Sequence, residues 1–143
     1  MKRLLLLLFT AFCICGVVNA EDISGPLSGT MGPGYYDVVG NIFVPQNDSL
    51  ILEPGTTFNF KGDLNFTIYG YIYFVGTEED SIILQKAVGF DAWNGLNCNP
   101  STIEGSRLEY CVIDGSDMQG FETYACDFEV KHCTIKNSST QVC

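Results

Sequence analysis

From Tyr36 onward, apolar and polar residues alternate in short stretches separated by turn residues. The alternating runs cover residues 37–44, 50–52, 56–60, 65–75, 82–85, 108–113 and 128–135. Breaks fall at Pro45-Gln46-Asn47-Asp48, Glu53-Pro54-Gly55, Lys61-Gly62-Asp63 and Gly76-Thr77-Glu78-Glu79-Asp80, each carrying Gly, Pro, Asn or Asp. No window holds a 3.6-residue apolar stripe, so the pattern predicts an all-β chain with essentially no helix. Residues 21–35 are rich in Gly, Ser and Pro and lack an apolar period. They are expected to form a leader that caps the first strands.

The chain repeats itself. Leu108-Glu109-Tyr110-Cys111-Val112-Ile113-Asp114 returns as Val130-Lys131-His132-Cys133-Thr134-Ile135-Lys136, an offset of 22 residues with Cys over Cys and Ile over Ile. A weaker echo sets 39–44 against 69–74, an offset of 30. A β-sandwich also gives many short strands, but it does not call for like residues after one repeat. A solenoid does, because each coil lays its strand on the previous one, about 4.8 Å away.

The stretch Gly40-Asn41-Ile42-Phe43-Val44-Pro45, followed by Leu50-Ile51-Leu52-Glu53-Pro54-Gly55-Thr56-Thr57-Phe58, resembles the opening coils of secreted right-handed parallel β-helix proteins of pectin-lyase-like architecture. Gly70, Gly76-Thr77, Trp93-Asn94-Gly95 and the two cysteine-bearing repeats fit the same group. The resemblance covers roughly residues 36–140. It implies a right-handed single-stranded parallel β-helix of about four to five coils over 36–143. The end at Cys143 reads either as a cut within a longer solenoid, with further coils or domains to follow, or as a short cap. The shared motifs serve turns and core, so they specify architecture and hardly touch activity.

Alternation along a strand assigns faces. Phe66, Ile68, Ile72 and Phe74 share one parity and are expected inside, with Ile42 and Val44. Phe43, Tyr69, Tyr71 and Tyr73 fall on the outward parity with Asn41, Asn65 and Thr67. The 30-residue offset would set Phe43 beside Tyr73 and Asn41 beside Tyr71, an outward aromatic strip suited to stacking on sugar rings. Cover by the leader is the competing expectation for those rings. Cys111, Cys133, Ile113 and Ile135 are expected as a core ladder. At strand spacing, a stacked thiol pair fits better there than a disulfide, which needs Cβ atoms about 3.5–4.5 Å apart. Cys98 and Cys126, in loop-like segments, are the better disulfide candidates. His132 is expected at a bend, and Trp93 at a coil corner.

Residues 1–20 stand apart. Lys2 and Arg3 precede an apolar run that ends in Val18-Asn19-Ala20, the make-up of a secretory signal peptide. The run is short for a membrane span, and neither Cys13 nor Cys15 follows the small residue that a lipoprotein signal requires. Cleavage after Ala20 leaves five basic residues against 17 acidic ones, a net charge of −12. Such a chain repels phosphate backbones, so no nucleic-acid partner is expected; the outward aromatic strip points instead to polysaccharide or a cell-surface glycan. A solvated acidic surface accounts for the charge, with calcium binding the sharper alternative; no other cofactor is expected.

Lyases of the resembled architecture use calcium-binding carboxylates with an Arg or Lys base, and its hydrolases use clustered Asp residues. The nearest material here is Arg107 with Glu109, together with Asp114, Asp117 and Asp127. Asp114 aligns with Lys136 across the repeat, however, which is the pattern of a surface charge ladder. No catalytic residue is assigned. The sequence is read as a secreted, non-catalytic surface scaffold or adhesive element; a fragment of a polysaccharide lyase or glycoside hydrolase is the alternative.

Overall fold

A computed structural model describes residues 19–99, 104–117, 120–123 and 128–138. The expected signal peptide falls almost wholly outside them. Among the described residues there is no helix, and hence none long and apolar enough to cross a membrane. The described residues form fourteen strands: β1 (Glu21–Pro26), β2 (Gly29–Met31), β3 (Gly34–Val44), β4 (Ser49–Leu52), β5 (Thr56–Phe60), β6 (Phe66–Ile68), β7 (Tyr71–Val75), β8 (Ile82–Lys86), β9 (Leu96–Cys98), β10 (Ser106–Glu109), β11 (Cys111–Asp114), β12 (Phe121–Thr123), β13 (Phe128–Lys131) and β14 (Thr134–Lys136).

Every strand pairing is parallel, and partners lie one winding apart in sequence. The pairings trace three sides. On the first, the front halves of β1 and β3 continue into β5, β8, β11 and β14. On the second, the back halves of β1 and β3 continue into β6, β9 and β12. The third stacks β2, β4, β7, β10 and β13. The chain visits the sides in turn, so each winding contributes one strand to each, in a solenoid-like arrangement around one interior.

That interior is filled by the residues of inward parity. Phe58, Leu84 and Ile113 stack on the first side, Ile42, Phe66 and Leu96 on the second, and Leu52, Phe74 and Leu108 on the third, all essentially inaccessible to water. Phe66 lies 6.0 Å from Phe74 and 6.1 Å from Phe58, so rings from the three sides meet in the middle. Burying each such side chain contributes about 1.5–3 kcal/mol. The expected inward set Phe66, Ile68, Ile72 and Phe74 is fully buried.

Three expectations need correction. Residues 21–31 are not an irregular leader: they form β1 and β2, paired in parallel with β3 and β4, and so supply the first winding. The run 65–75 is two strands, because the chain turns a corner at Tyr69-Gly70. Gly70 is required there, since a Cβ would overlap the carbonyl oxygens of Pro45 and Asp48. The 30-residue echo is not a register at all. Phe43 pairs with Thr67, 24 residues on, while Tyr73 pairs with Ile51, 22 residues back.

The 22-residue repeat is a register. Ile113 pairs with Ile135 and Asp114 with Lys136. Tyr110 and His132, at φ 48° and 51°, both take the left-handed conformation just before their cysteines. Their rings stack at 4.7 Å, so the bend expected at His132 recurs in two successive windings.

Candidate functional site

A shallow groove of about 380 Å³ runs along the second side, lined by Asn41, Ile42, Phe43, Asn65, Thr67 and Tyr69. Strand alternation puts Phe43 and Thr67 on its floor, because Ile42, Val44, Phe66 and Ile68 between them point inward. The edge of one ring meets the face of the other between Phe43 and Tyr69, with centroids 6.4 Å apart and planes at 77°. Tyr69 keeps 37% of its surface exposed, so cover by residues 21–31 does not reach it.

One flank of the groove is a ladder of side-chain amides. Asn65 donates its backbone N–H to Asn41 Oδ1 at 3.0 Å and its Nδ2 to the same oxygen at 3.4 Å. Asn94 in turn donates Nδ2 to Asn65 Oδ1 at 3.1 Å. Three windings thus stack the same polar group at one corner. The groove therefore offers two aromatic rings, a threonine hydroxyl and oriented amides, with no charged group in its lining.

The four outward aromatics do not form one strip. Phe43 and Tyr69 share the groove, but Tyr71 and Tyr73 lie around the corner on the third side. There Tyr71 pairs with Ser49, and Tyr73 stands between Ile51 and Arg107. The echo misled because it matched strands on adjacent sides: Gly40 lies between the first and second sides, Gly70 between the second and third.

A second groove of about 380 Å³ lies on the first side, lined by Tyr35, Gly55, Thr57, Glu79, Asp80, Ser81, Ile83 and Val112. Sequence reasoning missed it. Tyr35, Thr57, Ile83, Val112 and Thr134 pair in register and form a ladder across five windings, a signal visible only once the 22-, 26- and 29-residue offsets are aligned.

The residues considered for catalysis are held by neighbours. Arg107 forms ion pairs with Glu109 and Glu129, and Lys131 with Glu129. The hydrogen bond from Lys131 and the charge of Arg107 hold the Glu129 carboxyl below its usual range. Asp114 meets Lys136 at 3.4 Å and accepts a 2.7 Å hydrogen bond from Asn137 Nδ2. Asp117 is exposed, and Asp127 lies outside the described residues. Among the described residues, no three His, Cys, Asp or Glu side chains gather as metal ligands do.

Trp93 is fully buried at a corner, stacked on Phe60 at 4.0 Å, and its Nε1 donates to the Asp114 carbonyl at 2.9 Å. Cys98 is buried on β9; its expected partner Cys126 lies outside the described residues. Cys111 and Cys133 are unbridged thiols close enough to perturb each other's titration, Cys111 upward and Cys133 downward. Comparison of the chain with family models, with curated proteins and with solved structures gives no match.

Proposed function

We propose that the chain is a secreted, non-catalytic module of right-handed parallel β-helix architecture, a surface scaffold whose groove along the second side contacts glycans. The observation that carries the reading is the pairing of Phe43 and Tyr69 with the Asn41–Asn65 amide ladder in one open groove. Aromatic faces suit the C–H faces of a pyranose, and fixed amides suit its hydroxyls. Secretion is supported by the start of β1 at Glu21: cleavage after Ala20 leaves every described strand intact. The ion-paired state of Arg107, Glu109 and Asp114 favours the scaffold over the lyase or hydrolase reading, because those groups stabilise neighbouring windings.

A glycan array tests the proposal. The wild type is expected to bind, Phe43→Ala and Tyr69→Ala each to lose most of the signal, and Tyr71→Ala on the third side to keep it. Silence of the wild type removes the glycan reading. Release of unsaturated or reducing sugar ends from acidic polysaccharide by the wild type establishes the enzyme instead.

A further inference from the structure

We propose that Cys111 and Cys133 are a redox-active pair, which closes into a disulfide between successive windings by exchange with a small-molecule disulfide. The two residues are related by the 22-residue register that pairs Ile113 with Ile135. Each follows a residue in the left-handed conformation, Tyr110 or His132, and the stacked rings of those two residues align the bends. The two thiols therefore lie at the same corner of two adjacent windings, close enough that each perturbs the other's titration.

Spacing within a regular ladder disfavours a bridge, but this pair stands at the ladder's edge. Pairing begins at Val112 with Thr134, and Cys133 precedes β14. Closure to disulfide distance falls to Cys133, which lies outside β14, because Cys111 is held in β11 by its pairing with Ile82.

The two thiols differ in a way that suits exchange. Cys111 is fully buried, with its Sγ 3.4 Å from the Phe74 carbonyl oxygen. Cys133 is partly exposed, and as the thiol its Sγ reaches the Lys131 carbonyl at 3.3 Å. Hydrogen bonding from Cys111 lowers Cys133 to a pKa of about 7, while the same contact and burial push Cys111 far up. The solvent-facing partner is thus the one that loses its proton more readily and attacks first.

Its sulfur attacks one sulfur of the small disulfide, and a thiolate leaves with the bonding pair. Cys111 then gives up its proton to that thiolate and attacks the Cys133 sulfur, expelling the second small thiolate, which takes its proton from water. Two protein thiols become one disulfide, and one small disulfide becomes two thiols.

The test takes the full chain, reduced and freed of reductant, with oxidised glutathione as the probe. Peptide mapping is expected to show a Cys111–Cys133 cross-link and a loss of about 2 Da from the protein. Before oxidation, iodoacetamide is expected to label Cys133 about tenfold or more faster than Cys111, with a rate midpoint near pH 7. Cys111→Ser is expected to trap the mixed disulfide on Cys133, but the wild-type map decides even where that variant fails to fold. A lasting glutathione adduct on wild-type Cys133, a bridge from Cys111 to a different cysteine, or equal labelling of the two thiols overturns the proposal.

Discussion

Trp93 is the chain's single tryptophan, and its environment makes it a reporter for the middle windings. It joins three separate segments: the ring stacks on Phe60 of β5, Nε1 donates to Asp114 of β11, and its carbonyl accepts from the Asp117 amide at 2.6 Å. Trp93→Phe keeps part of the stack but leaves the Asp114 carbonyl without this donor and opens a small void. The expected cost is about 1.5–3 kcal/mol, read as a lower urea midpoint with unchanged slope. In the wild type, the buried indole should emit at short wavelength and shift red in the same transition that abolishes the β circular dichroism. Gly70→Ala acts differently, since its methyl meets backbone rather than a movable side chain. It should cost about 2 kcal/mol or more and shift the corner between β6 and β7. At this scale the corner position of Trp93 was legible, because an aromatic beside Asn94-Gly95 marks a turn that also needs packing. The Asn41–Asn65–Asn94 ladder was not. Its members are 24 and 29 residues apart, and loops of unequal length hide any common period.

The ends of β10 and β13 are tied by charge, with Glu129 between Arg107 and Lys131. Glu129 titrates below the usual carboxylate range, chiefly through its hydrogen bond from Lys131. A depressed native pKa means that this stabilisation is present above the unfolded value, near 4.5, and fades as pH falls through the native value. Hydrogen exchange of β13 should therefore accelerate below pH 4.5. Glu129→Gln should show faster exchange already at neutral pH and a flatter response to acid; an unchanged profile refutes the coupling. The same elements show what alternation can and cannot reveal. In β6 and β7 the buried positions 66, 68, 70, 72 and 74 keep one parity straight through the Gly70 corner, so the pattern reads as a single strand. The corner is a backbone event that leaves the hydrophobic period untouched. At β9 and β12 the opposite holds: three residues each, Leu96-Asn97-Cys98 and Phe121-Glu122-Thr123, are too few to establish a period, and both strands went unseen. The 22-residue repeat was legible because β11 and β14 match residue for residue, Ile113 opposite Ile135 and Asp114 opposite Lys136; the core ladder expected from it stops at β11, since Ile135 is exposed and Cys133 only partly buried.

Across the molecule, each winding touches only its neighbours, so stability is close to a sum of nearest-neighbour terms. Those terms are unequal. β5 buries four of its five residues, and Phe74 of β7 is inaccessible, whereas in β13 and β14 Val130 is 47% exposed and Ile135 37%. Windings in the middle have partners on both sides and a core of Phe58, Phe60, Phe66 and Phe74. Opening should therefore begin at β13 and β14 and reach β5, β7 and β8 last. Hydrogen exchange followed by mass spectrometry should give a graded series of protection along the chain, rising from β14 back to β8. Two substitutions make the gradient quantitative. Phe74→Ala, which empties space beside Phe66 in the middle of the core, should cost about 3–5 kcal/mol and lower protection most in β7 and in the β4 and β10 strands paired with it. Val130→Ala, already half in water, should cost about 0.5 kcal/mol or less and leave β5 to β8 unchanged. Closing the Cys111–Cys133 bridge should then raise protection in β11 and β14 with little effect on β5, since a staple acts on the windings it joins. Uniform exchange of all strands in a single step contradicts a nearest-neighbour solenoid and points to one cooperative core.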